Sequence, residues 1–128
     1  MVNNRTDDIV AAARDATGGA GVDLVSDHVG PALFQASLLA LRPRGRLVFC
    51  GATTGSEASF NLPHAYHFGM QLVGAGPSSS REFKAMLDRY WRGGFQPVID
   101  SEYWLEDAAE AQRKLAFGDV LGRILLRP

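Results

Sequence analysis

Three short stretches put small or reactive residues where chemistry is possible: Asp27-His28-Val29-Gly30, Cys50-Gly51-Ala52-Thr53 and Gly74-Ala75-Gly76-Pro77. Each follows an apolar run that reads as a β-strand, so each lies at a strand's carboxyl end, where open α/β sheets bind their ligands. Glycine there lets a flat ligand come close to the backbone, although any one of these glycines is more simply read as a strand terminator. Their recurrence at three consecutive strand ends points to a ligand edge.

Other residues fit chemistry less well. Asp27 and His28 are adjacent, so on a strand their side chains point to opposite faces and form no relay with each other. Cys50 is the only cysteine; it could be a reactive thiol, but a free cysteine more often packs as a small buried hydrophobe. His64 and His67 in PHAYHFG could share one face of a helical turn and hold a metal, yet no acid or cysteine lies nearby in sequence to complete the site. Partly exposed structural histidines are the simpler reading. Gly74-x-Gly76 follows a strand and precedes a helix, but Ser79 stands where a dinucleotide fingerprint has its third glycine. Asp100 falls roughly 20 residues on, where a ribose-binding acid would sit, but PVID looks like a strand start. Gly18-Gly19-Ala20-Gly21 precedes a strand and is a connector. There is no Walker sequence and no G-x-S-x-G elbow.

The elements that must position these residues follow from periodicity. Ile9, Val10, Ala13 and Ala16 recur at helical spacing within Thr6 to Thr17, and Gly18-Gly19 ends that helix. A strand over Val22 to His28 turns at Gly30-Pro31 into a helix over Ala32 to Leu41. Pro43-Arg44-Gly45 breaks it before a second strand, Arg46 to Cys50. A helical turn at Pro63 to Phe68 leads to a third strand, Met70 to Gly74. Ser78 or Ser79 caps a helix over Arg81 to Arg92. A strand near Val98 to Tyr103, a helix over Glu106 to Phe117 and a strand over Arg123 to Leu126 complete the chain. Strands alternating with helices argue for βαβ units and a parallel sheet.

The 128 residues leave room for one domain and not for a complete two-domain enzyme. Thirteen Lys and Arg against fourteen Asp and Glu give a net charge of −1, too little field to hold nucleic acid. One cysteine excludes an internal disulfide framework and a multi-cysteine zinc site, and a reducing cytoplasm fits best. No apolar run approaches the ~20 residues needed to span a bilayer, so no membrane partner is expected. The start, Met1 to Asp8, reads as neither a signal nor a transit peptide.

At VDLVSDHVG, LRPRGRLVFCGATTG, FQPVID and LEDAAEAQRKLAFGDVLGRILL, in order and over nearly the whole chain, the sequence resembles the medium-chain dehydrogenase/reductase superfamily, specifically its zinc-type alcohol dehydrogenase and quinone oxidoreductase members. The resemblance is to their carboxyl-terminal part. It implies an α/β fold: a partial doubly wound, Rossmann-like parallel sheet with flanking helices, the first half of the fold absent. Residues 1–96 would be the second half of the nucleotide-binding domain and 97–128 the segment that returns to the catalytic domain. The phosphate loop, the ribose-reading residue, any zinc ligands and the groups that handle substrate protons are expected upstream of Met1. No catalytic residue and no metal ligand carries over.

The implied cofactor is NADP or NAD, bound weakly or not at all by the isolated chain. Val29 and Gly30 match the loop after the family's fourth strand, which borders the adenosine and nicotinamide ribose. Cys50, Gly51, Ala52 and Thr53 match the loop after the fifth, along the nicotinamide ring. Gly74, Ala75 and Gly76 match the end of the sixth, near the carboxamide. Arg123 resembles a position that approaches the cofactor phosphates in some members, and is otherwise a surface strand residue.

In a sheet of order 3-2-1-4-5-6, loss of strands 1 to 3 leaves VDLVSDH as an unpaired edge, which seeks a partner. A homodimer through exposed strand edges, or pairing with a missing N-terminal half, is therefore expected. The implied function is the cofactor-domain portion of an oxidoreductase that transfers hydride between a nicotinamide and an alcohol, aldehyde, enone or quinone, inactive alone. The alternative is a non-catalytic oligomerisation or binding module that reuses the half-fold. A methyltransferase-like domain using the GAGP turn fits poorly, because that turn comes late in the chain.

Overall fold

Strands and helices alternate along the whole chain in the computed structural model, which describes residues 2–3, 6–118 and 120–128. The chain forms two compact units, residues 1–77 and 78–128, where its length alone suggested one domain.

The first unit holds helix α1 (Ile9–Ala16), strand β1 (Val22–Asp27), helix α2 (Pro31–Ala40), strand β2 (Leu41–Phe49), helix α3 (Leu62–His67) and strand β3 (Gln71–Gly74). Helix α1 begins three residues later than Thr6, because Asp8 caps it through Val10 N–H and Ala11 N–H, leaving Thr6 and Asp7 outside. The strands form one parallel sheet, β1-β2-β3, with β2 in the middle.

Side-chain alternation assigns the two faces. Val25, Leu47 and Leu72 stand in one cross-strand row, and α2 covers that face with Phe34 and Leu38. Leu47 at the centre has no exposed surface. On the opposite face Leu24 is 56% exposed. Among the described residues β1 pairs only with β2, which leaves its outer edge without a strand neighbour there.

Strand β2 starts earlier than Arg46. Val22 pairs with Leu41 and Leu24 with Arg46, so four residues of β2 lie opposite Asp23 alone. The expected break at Pro43-Arg44-Gly45 is thus a bulge within the strand, with Arg44 at φ 63° and its N–H donating to Phe68 O.

The second unit holds helix α4 (Ser80–Trp91), strand β4 (Ile99–Trp104), a 3-10 turn (Leu105–Asp107), helix α5 (Ala108–Phe117) and strand β5 (Arg123–Arg127). Of the two candidate caps, Ser79 is used: its Oγ accepts from Glu82 N–H while the Glu82 carboxylate accepts from Ser79 N–H. The Ser79 hydroxyl, which also donates to the Glu82 carboxylate, and then the Ser79 N–H hold that carboxyl below its ordinary range. Strands β4 and β5 are parallel neighbours joined by α5, which buries Ala111 and ends at Gly118 in the left-handed region.

Candidate functional site

The parallel register of the first unit sets Asp27 beside Phe49 and Phe49 beside Gly74. Since β1, β2 and β3 are parallel, their carboxyl ends share one edge, and the three loops that leave them are neighbours. Backbone bonds continue past the strands: Cys50 N–H donates to Asp27 O at 3.0 Å and Ala75 N–H to Phe49 O at 2.9 Å. Val29, Gly30, Cys50, Gly51, Ala52, Thr53, Gly74, Ala75 and Gly76 are therefore brought to one edge of one unit. Arg123 belongs to the second unit, where it is exposed at the start of β5 and its N–H donates to Val98 O.

Asp27 organises this edge. Its side chain is buried, and its Oδ1 accepts from Val29 N–H at 2.7 Å and Gly30 N–H at 2.9 Å, while Ser37 Oγ on α2 donates to Oδ2 at 3.2 Å. One carboxylate thus fixes the turn out of β1 and ties it to the helix that follows. The sequence carries a signal for it: Asp two and three residues ahead of the N–H groups of a turn that ends in Gly-Pro. Thr54 performs the matching task from the second loop. Its Oγ1 donates to Val29 O and accepts from Ala32 N–H, so α2, whose own cap position is Gly30, is capped from the neighbouring loop.

The glycines serve the protein before any ligand. A Cβ on Gly51 would stand 2.2 Å from His28 O, and one on Gly30 would stand 3.2 Å from Ala52 Cα. Glycine is required there because the two loops lie backbone against backbone. Gly76 has open space around it, so it alone fits the idea of a backbone left bare for approach.

Between the two loops and the start of α2 lies a cleft of about 300 Å³, lined by Gly30, Pro31, Phe34, Phe49, Gly51, Ala52, Gly55, Ser56 and Ala58. Phe34 meets Phe49 edge to face, with ring centroids 6.0 Å apart. The lining is mostly apolar and carries no charged side chain, suited to a flat ring held by backbone groups. Its size admits part of a dinucleotide, so the residues present fit one portion of such a cofactor.

Cys50 is exposed, contrary to the expectation that a free cysteine packs inside. Alternation turns Cys50 and His28 to the sheet face away from α2, and the register makes them neighbours. His28 Nδ1 lies 2.9 Å from Cys50 Sγ, and His28 Nε2 lies 3.3 Å from Ser26 Oγ. His28 and Asp27 do take separate partners, as their adjacency requires.

The other candidates are structural. His64 and His67 sit on α3 with their rings against Phe68 and Tyr66. Among the described residues no three His, Cys, Asp or Glu side chains gather as a metal site. Asp100 on β4 accepts from Lys114 Nζ, Leu121 N–H and Ser101 Oγ. The Lys114 bond above all holds its carboxyl down to about 2. Among the described residues no helix is long and apolar enough to cross a membrane.

Comparison with known proteins matches residues 1–126 to the model of the zinc-binding dehydrogenases. A 2-haloacrylate reductase from a Burkholderia species is 26% identical over 141 residues, covering 99% of this chain and 41% of that protein. The solved structure of an NAD-dependent alcohol dehydrogenase matches with a TM-score of 0.86 and 30% identity, over 99% of this chain and 37% of that one. A mycobacterial protein solved in complex with NADPH matches with a TM-score of 0.73 and 27% identity, over 93% of this chain and 39% of that one. The chain thus spans about two-fifths of the length of these relatives.

Proposed function

Since the chain belongs to the zinc-binding dehydrogenase family, we propose that it is the cofactor-domain portion of an NAD(P)-dependent medium-chain oxidoreductase. The observation that carries this is the gathering of three small-residue strand ends at one edge, beside an apolar cleft of about 300 Å³. When bound, the nicotinamide supplies a hydride to, or takes one from, an alcohol, aldehyde, enone or quinone. This chain's part is to position. Val29 and Gly30, held by Asp27, would border the adenosine and ribose; Cys50, Gly51, Ala52 and Thr53 would lie along the nicotinamide; Gly74, Ala75 and Gly76 would approach its carboxamide; Arg123 would face a phosphate. Residues 1–96 would complete the nucleotide domain and 97–128 return to the catalytic one, in a cytoplasmic enzyme.

Alone, the chain is expected to be inactive. Hydride transfer needs the nicotinamide held against an oriented substrate, and that positioning supplies much of the barrier reduction. Calorimetric titration with NADPH and NADH tests this. Weak or absent binding by the isolated chain, strengthened by a polypeptide that supplies the family's first strands and glycine-rich loop, is the expected result. Affinity unchanged by that polypeptide overturns the cofactor reading. Saturable binding tighter than about 1 mM, roughly 4 kcal/mol, or turnover of NADPH with a quinone, overturns the expectation for the isolated chain.

The open edge of β1 favours a second reading, a non-catalytic oligomerisation module. Unpaired N–H and C=O groups beside the exposed Leu24 suit strand addition by a second copy. A homodimer in light scattering that binds neither nucleotide supports it; a monodisperse monomer at micromolar concentration removes it.

A further inference from the structure

We propose that Cys50, with His28 as its base and Ser26 as the group that orients that base, is a modification site for low-molecular-weight disulfides. The three side chains come from two adjacent parallel strand ends and share the sheet face away from α2. The spacings are those of an activated nucleophile: Cys50 Sγ to His28 Nδ1 2.9 Å, and His28 Nε2 to Ser26 Oγ 3.3 Å. In the tautomer whose Nε2–H donates to Ser26 Oγ, Nδ1 carries the lone pair that faces the thiol. The backbone that carries both side chains is held as well, because Thr53 Oγ1 donates to His28 O and Cys50 N–H donates to Asp27 O. All three residues are exposed, so a reagent reaches the sulfur without any rearrangement. The cleft's lining includes neither Cys50 nor His28, and although the cofactor reading sets Cys50 along the nicotinamide, the exchange proposed here needs no cofactor.

The step balances as a thiol–disulfide exchange. The Cys50 proton passes to His28 Nδ1 and the sulfur attacks one sulfur of the disulfide. A new S–S bond forms at Cys50 as the reagent's S–S bond breaks. The leaving thiolate takes the proton from His28, so Cys50 is oxidised and half of the reagent is reduced to a thiol.

The test uses the full chain, reduced and freed of reductant, mixed with dipyridyl disulfide while release of the thiopyridone is followed by absorbance. Cys50 is the only cysteine, so the signal has one source, and the same chain unfolded in urea gives the rate of an ordinary thiol. The folded chain is expected to react at least about 10-fold faster than the unfolded one. His28→Asn, with folding checked by circular dichroism, should remove that advantage, and Ser26→Ala should reduce it. Oxidised glutathione should give a single mixed disulfide by mass. A folded chain that reacts no faster than the unfolded chain overturns the proposal, as does a folded His28→Asn that keeps the full rate.

Discussion

Asp27 in the first unit and Asp100 in the second each tie a loop to a parallel strand, by different chemistry. Asp27 is 4% exposed and its carboxylate takes two backbone N–H groups and a serine hydroxyl. Asp100 takes Lys114 as well as Leu121 N–H and Ser101, and its side chain is 17% exposed. The buried knot uses neutral donors whose geometry is set by the turn itself. The more open one leans on a cation that salt and acid can reach. The difference separates a joint that shapes the loops gathered at the strand ends of the first unit from a joint that only closes a strand–helix–strand unit.

The comparison breaks most directly at Asp27. Asp27→Ala strands two turn N–H groups and should cost about 3 kcal/mol, read as a fall in the urea midpoint with hydrogen exchange speeding up in residues 27–40 and 50–55. Loss spread evenly over both units would contradict the local role given to Asp27. Next, Gly51→Ala must push the second loop off His28 O and should cost about 2 kcal/mol; Gly76→Ala, into open space, should change the thermal midpoint little. Equal effects at the two glycines would remove the distinction between loop packing and bare approach. In the second unit Ser79→Ala removes the capping box of α4 and should cost about 1 kcal/mol of helix stability, measured by circular dichroism.

The smallest effect is at Asp100 and is separated by acid. Its carboxyl is lowered from 3.8 to about 2, first by Lys114, then by Leu121 N–H and Ser101. A lowered native value adds stability at pH above the unfolded value and loses it as pH falls through the native one. The stability difference between the wild type and Asp100→Asn should therefore be full at neutral pH, shrink below about pH 4 and vanish near pH 2. A difference constant down to pH 2 would show that the charge on Asp100 contributes nothing. High salt should shrink it too, and leave the Asp27 effect unchanged.

The order of elements was legible because apolar periodicity switches clearly: Leu33, Phe34, Ser37 and Leu38 keep helical spacing, and Leu47 to Phe49 does not. Less legible were features that depend on register. Nothing in RLVFC shows that Cys50 will stand beside His28; that requires knowing that Asp27 faces Phe49. Thr54 capping a helix from another loop is equally invisible in a linear reading. The glycines do gather at one edge of the sheet, but the close approach permitted at Gly51 is to another loop. Asp27 was within reach, since its turn pattern was present, but its sequence neighbour His28 invites reading it only as half of a relay. Cys50 departed from the usual burial of free thiols because it lies one residue past the strand, on the uncovered face.

The bulge in β2 also bears on how this sheet tolerates changes of chain length. Four residues opposite Asp23 form slack at the amino end of the central strand, while Arg46 to Phe49 remain locked between both neighbours. An insertion or deletion at Pro43 to Gly45 is taken up within that slack and does not propagate as a register slip, which would turn every later side chain to the wrong face. Length variation at one end of the sheet is thereby kept from the loops at the other.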